Sequence, residues 1–162
     1  MKRRLFFGLL LMALVACHGM CSPPNPDFSG VWKLNGERST PKRSGNVTLR
    51  IDHHDAQLNV ETTIRRGSGA ARTAMQRYTT DGKVSTTIGA DGDEFHTSIV
   101  RSGKSLVFSV EEHEDGHIIL SRETWTLIEN GAALERVREG AKASPDGTGK
   151  QILIYLREPP QT

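Results

Sequence analysis

The sequence predicts an all-β domain of eight to ten antiparallel strands joined in order by hairpins. Such a chain closes as an up-and-down barrel or packs as a sandwich, and the barrel is favoured because closure removes the exposed edges that a soluble sheet must otherwise protect. Two observations carry this prediction. Five turn dipeptides punctuate the chain after residue 28: Asp81-Gly82, Asp91-Gly92, Asp115-Gly116, Asn130-Gly131 and Asp146-Gly147, with Ser102-Gly103 a weaker sixth. These pairs supply the positive φ that short hairpin loops need. Between them the apolar residues recur with period two. Val47, Leu49 and Ile51 alternate with Thr48, Arg50 and Asp52; Leu58, Val60 and Ile64 share one face; Leu106, Phe108 and Val110 share another. Alternation of this kind marks half-buried strands.

Before the strands comes a leader. Met1-Lys2-Arg3-Arg4 is basic, and Leu5 to Ala16 is an apolar run broken only by Gly8. A charged start, a short apolar stretch and small residues read as a secretory signal over 1–16. Twelve residues fall short of the roughly 20 that a membrane-spanning helix needs. Leu14-Val15-Ala16-Cys17 resembles the lipobox of bacterial lipoproteins, which implies that Cys17 is lipidated and becomes the mature N-terminus. The alternative is a plain secretory signal with an incidental cysteine, but cleavage before Cys17 would leave Leu14 where the ordinary peptidase prefers a small residue. In proteins of that kind from two-membrane bacteria an aspartate after the cysteine marks inner-membrane retention. His18 stands there instead, so the resemblance implies an outer-membrane anchor with the domain facing the periplasm.

The leader changes two other readings. The chain has 21 Lys+Arg against 19 Asp+Glu, a formal +2. Loss of Lys2, Arg3 and Arg4 leaves 18 against 19, a net of −1. No net attraction to nucleic acid or to anionic lipid headgroups remains. The two cysteines, Cys17 and Cys21, both precede the strands. The fold therefore has no disulfide and stands on its core, for which roughly 130 residues suffice.

Residues 17–27 form a Pro-rich tether with no apolar periodicity, spanning about 30 Å at polyproline rise. Strands are expected near 29–35, 46–53, 57–66, 71–79, 84–89, 94–101, 105–112, 117–128, 132–139 and 150–157. Ala132 to Glu139 would be helical on propensity alone, and its place between two turn signals makes it strand. Arg65 to Arg72 reads as an exposed basic loop, and residues 159–162 as a tail.

Phe28-Ser29-Gly30-Val31-Trp32-Lys33-Leu34-Asn35 and, later, Arg122-Glu123-Thr124-Trp125-Thr126-Leu127 before Asn130-Gly131-Ala132-Ala133-Leu134 resemble the opening and a late hairpin of bacterial lipocalin-like domains. The likeness covers about 28–158. It implies a lipocalin-like barrel in which Gly30 lets the first strand enter the floor, Trp32 plugs it, and Arg157 from the last strand packs on the indole. It also implies a small-molecule ligand, although the barrel disulfide and C-terminal helix of lipocalins have no counterpart here.

His113-Glu114-Asp115-Gly116-His117 matches the H-E-x-x-H pattern of zinc hydrolases, which works on a helix because i and i+4 share a face. Here Asp115-Gly116 is a turn signal between strand-like runs. A two-residue loop pairs Glu114 with His117 and His113 with Ile118, which sends the two histidines to opposite faces. No metal, cofactor or catalytic residue is assigned. His53 and His54, adjacent on a strand, read as surface and mouth residues. The same pairing puts Phe108, Glu123 and Trp125 on the inner face, where Glu123 is either a structural partner of an arginine, a residue turned outward by a bulge, or a polar anchor for a ligand.

The expectation is therefore an envelope lipoprotein whose barrel binds an apolar or amphipathic small molecule. The alternative is a protein-binding module such as a protease-inhibitor-like barrel. A lumen of about 300 Å³ or more separates the first from the second. Replacing Cys17 by Ala is expected to move the protein from the membrane fraction to the soluble envelope extract; continued need for detergent would rule out the lipid anchor.

Overall fold

A computed structural model describes residues 26–89, 92–140 and 149–159. The leader, Cys17, Cys21, most of the tether, Asp91, the Asp146-Gly147 turn and Pro160 to Thr162 lie outside the described residues. Ten strands follow in order: β1 Gly30–Thr40, β2 Asn46–His54, β3 Gln57–Arg65, β4 Arg72–Thr79, β5 Asp81–Ile88, β6 Glu94–Ser102, β7 Ser105–Glu114, β8 His117–Ile128, β9 Ala133–Gly140 and β10 Lys150–Arg157. A 3-10 turn at Glu129–Gly131 joins β8 to β9. They make one antiparallel sheet in the order β4-β3-β2-β1-β10-β9-β8-β7-β6-β5. The first and last strands pair, Trp32 opposite Arg157 and Leu34 opposite Tyr155. This pairing makes one continuous ten-stranded sheet that curls into a nearly closed barrel, and it disposes of the sandwich.

Two features depart from the expected pattern. The Asp81-Gly82 pair does not close a hairpin. β4 and β5 are the two edges of the sheet, with no ladder between them, and Asp81-Gly82 sits in a register shift of the β5–β6 pair. Thr80 instead turns the chain, its N–H donating to Ala56 O at 2.8 Å. β1 also runs past residue 35 to Thr40. Its register with β10 shifts between Asn35 and Thr40. The broken ladder is repaired by the buried Ser39 hydroxyl, which donates to Asn35 O at 2.8 Å and accepts from Ile154 N–H at 3.1 Å. A backbone amide buried without that acceptor would carry its full desolvation cost. Gly36 is required there, since a Cβ at that position would lie 1.8 Å from Arg43 O.

Alternation along each strand sends one set of side chains inward. At one end of the barrel the set is large and apolar. Phe28, Trp32, Leu49, Leu58, Ile99, Leu106 and Leu134 are fully buried and form a floor. Trp32 lies at its centre, its indole N–H donating to Phe28 O at 3.0 Å. The Arg157 guanidinium carbon stands 4.1 Å from the indole centroid. Its Nη1 donates to Ser29 O at 2.6 Å and its Nε to Gly131 O at 2.9 Å. Gly30, at φ 139°, leaves the space: a Cβ there would meet Arg157 Nη1 at 2.8 Å. His53 belongs to this floor, which corrects its expected place at the surface. It is 7% exposed, tilted against Phe28 at 5.7 Å, with Nε2 2.8 Å from Arg101 Nη2. The expectation failed because Pro26 to Phe28 fold under the strand ends and cover it, a contact that strand periodicity does not encode. His54, on the opposite face, is exposed.

Trp32→Ala is expected to cost about 3–5 kcal/mol as a truncation of a fully buried aromatic. Chemical unfolding followed by circular dichroism measures it, and a loss below about 1 kcal/mol would show that the indole does not hold the floor.

Candidate functional site

Above the floor the inward side chains no longer fill the barrel. A cavity of about 370 Å³ remains, walled by Val60, Tyr78, Phe95, Phe108, Val110, Ile119 and Trp125 among apolar groups and by Gln76, Thr97, Glu123, Arg136 and Arg138 among polar ones. Its wall includes both sheet edges, Ala74 and Gln76 of β4 and Thr87 of β5. The volume falls within the range of small-molecule sites.

The sequence-predicted trio Phe108, Glu123 and Trp125 meets on this wall. Phe108 and Trp125 lie 4.7 Å apart between ring centroids, tilted by 33°, and Tyr78 meets Phe108 edge-on at 6.0 Å. Glu123 is 12% exposed at its side chain and fully committed. Its Oε1 accepts from Trp125 Nε1 at 2.6 Å and from Arg136 Nε, and its Oε2 lies 3.3 Å from Arg138 Nε. The ladder explains the grouping, because Glu123 stands opposite Arg138 and Trp125 opposite Arg136. Arg136 also lies over the Trp125 ring at 4.5 Å and towards Tyr155 at 5.6 Å. The charged centre is thus flanked by two aromatic rings, Trp125 and Tyr155, and one neighbouring cation.

Burial acts to raise the Glu123 pKa, but the charge and hydrogen bond of Arg136, with Arg138, overcome it and hold the carboxyl below its usual range. Burial likewise acts against the charge on Arg136, and the carboxylate beside it wins, so its pKa is raised. The Tyr78 hydroxyl is pushed up to about 12, chiefly by burial. Both members of the pair are ionised at neutral pH, and Tyr78 remains a neutral donor.

Sequence reasoning missed Arg136, Arg138 and Tyr78. A signal for the arginines existed: in β9, Leu134 shares its face with Arg136 and Arg138. It was masked by Val137, which is apolar and sits on the other face. The histidines behave differently. His113 pairs with Ile118 and Glu114 with His117, so His113 and His117 project from opposite sides of the hairpin and do not converge on a common ion.

No family model and no curated relative matches the chain. Solved structures do share the fold. Apo lipid binding protein 8 of Caenorhabditis elegans superposes with a TM-score of 0.61 at 13% identity, over 81% of this chain and 95% of that one. The REP1-NXSQ fatty acid transporter gives 0.59 at 12% identity, over 82% and 97%. A Schistosoma mansoni fatty acid binding protein, in complex with arachidonic acid, gives 0.58 at 12% identity, over 82% and 96%. These structures share with this chain an all-β, nearly closed barrel of antiparallel strands, of lipocalin-like architecture.

Removing one member of a buried pair strands the other, so Glu123→Ala is expected to cost about 3–5 kcal/mol in chemical unfolding, while a Glu123→Leu, Arg136→Met double variant recovers much of that loss. Because the folded pKa of Glu123 lies below its unfolded value, its stabilisation is complete above the unfolded carboxylate range and is lost as pH falls through the folded pKa. Wild type should therefore weaken more steeply than the double variant below about pH 4; parallel acid curves would contradict the assignment.

Proposed function

We propose that this barrel binds one apolar or amphipathic small molecule, and that it does so as a lipid-anchored protein of the bacterial envelope. The observation that carries the binding reading is the hollow lumen, about 370 Å³ with aromatic walls and a self-neutralised ion pair set into them. A barrel built only to present its outer surface to a protein partner would gain stability by filling that space. The apolar body of the ligand packs on Phe108, Val110 and Trp125. Its polar end meets Arg138, whose side chain is half exposed and shares only the second oxygen of Glu123. Fatty-acid-binding proteins among the structural neighbours support the same class of ligand.

Binding, not catalysis, fits the wall chemistry. Glu123 is held ionised by two arginines and an indole, and Tyr78 is held neutral, so neither is poised to exchange protons near neutral pH. The envelope reading rests on Lys2 to Arg4, the apolar run and the Leu14-Val15-Ala16-Cys17 stretch. Three acyl chains on Cys17 would exceed the two-signal requirement for stable anchoring. The membrane is then met through the lipid, the ligand through the lumen, and nucleic acid is no partner.

An environment-sensitive apolar dye is expected to bind the purified protein at one site and to be displaced by long-chain fatty acids, with a change in tryptophan emission as Trp125 is covered. Val110→Trp, which fills the lumen, should weaken dye binding at least tenfold with the β-sheet circular dichroism retained. Undiminished binding in that variant would place the site elsewhere.

A further inference from the structure

The outer face of the β6–β7 hairpin carries a cluster that the lumen does not use. Glu94 and His96 lie two residues apart on β6 and share its outer side. Glu111 and His113 do the same on β7. The ladder places His96 opposite Glu111 and Glu94 opposite His113, so two imidazoles and two carboxylates alternate around one small square. The imidazole centroids are 4.5 Å apart. One ligand atom each from His96, Glu111 and His113 lies within 4.8 Å of the others. His96 Nε2 is 2.7 Å from Glu94 Oε1, and His113 Nε2 is 3.9 Å from Glu111 Oε2. His113 Nε2 is shielded from solvent and makes no hydrogen bond among the described residues. A buried donor or acceptor left in that state calls for a partner.

We infer that His96, Glu111 and His113 form a divalent transition-metal site of the zinc class on the outside of the barrel, with Glu94 orienting the His96 ring. The donor set selects the metal. Two imidazoles and a carboxylate suit Zn²⁺, Cu²⁺ or Ni²⁺, whereas Ca²⁺ and Mg²⁺ take oxygen donors. Bonds of ~2.0–2.2 Å put tetrahedral ligand atoms roughly 3.3 Å apart, a contraction that rotation of partly exposed side chains supplies. A carboxylate against a ligating imidazole is the usual outer partner that fixes its ring. A water completes the coordination, since three protein ligands leave a position open. His113 thus takes its histidine partner from across the ladder and not from the H-E-x-x-H spacing, which sends His117 to the other side of the sheet.

The test is calorimetric titration with ZnCl₂ of the full chain carrying Cys17→Ser and Cys21→Ser, so that no thiol competes. Co²⁺ absorption reports coordination independently. One Zn²⁺ per chain is expected. His96→Gln and His113→Gln should each weaken it at least tenfold and abolish the Co²⁺ visible band, while His117→Gln changes neither. Circular dichroism verifies that each variant is folded, and Glu111→Gln provides a milder substitution that should also lower affinity. Failure of the parent to bind stoichiometric zinc, or wild-type affinity in folded His96→Gln or His113→Gln, would overturn the assignment. Loss with His117→Gln instead would return the metal to the H-E-x-x-H pair.

Discussion

The pairing of β1 with β10 is the constraint on which everything else depends. It is secured at the floor by one contact, the Arg157 guanidinium laid over the Trp32 indole. That contact uses each part of both side chains. The indole face takes the cation, the indole N–H goes to Phe28 O, and the guanidinium N–H groups go to Ser29 O and Gly131 O. Strand entry, strand exit and the β8–β9 turn are thereby tied at one point. The arrangement disfavours any side chain at Gly30, because its φ is positive and a Cβ would press to 2.8 Å from Arg157 Nη1. Once the first and last strands are joined, each strand has a defined inside, and the period-two pattern of the sequence acquires a lumen.

That lumen is graded from floor to mouth. Fully buried aliphatic and aromatic groups fill the lower end, and the cavity begins where Glu123, Arg136 and Arg138 enter the wall. A carboxylate at this depth is tolerable only when paired and hydrogen-bonded. Two arginines and an indole N–H satisfy that condition. Aromatic packing around Arg136 adds cation–π attraction in a site from which water is largely excluded. Such a pair contributes little net stability relative to apolar residues of equal volume, yet it supplies a polar landmark in an apolar chamber. This is the combination an amphipathic ligand requires.

The β6–β7–β8 meander uses its two faces for different chemistry. Inward it gives the aromatic wall; outward it gives the His96, Glu111 and His113 cluster and the exposed Ile118 and Leu120. The same alternation that scatters His113 and His117 brings His113 beside His96, since diagonal neighbours two residues apart across a ladder share a face, whereas His113 and His117 point to opposite ones.

The turn dipeptides and the alternation of Val47, Leu49, Ile51, Leu106, Phe108 and Val110 were enough to predict eight to ten antiparallel strands in hairpin succession, because hairpin chemistry and side-chain period are local properties of a chain. The Asp115-Gly116 register was legible for the same reason, and with it the inward face of Phe108, Glu123 and Trp125. The partners of Glu123 were not legible: Arg136 and Arg138 lie on a strand with apolar residues on both faces, and only the β8–β9 ladder decides which face is inner. The gap between β4 and β5 was equally hidden, since Asp81-Gly82 carries the same turn signal as a true hairpin. Burial of His53 and the meeting of His96 with His113 likewise depend on contacts between segments far apart in sequence. Local sequence determined the strands. Only the curled sheet decided what they enclose, because a strand has an inside only once the chain's first and last strands pair and the sheet wraps round to bring β4 and β5 to the same lumen.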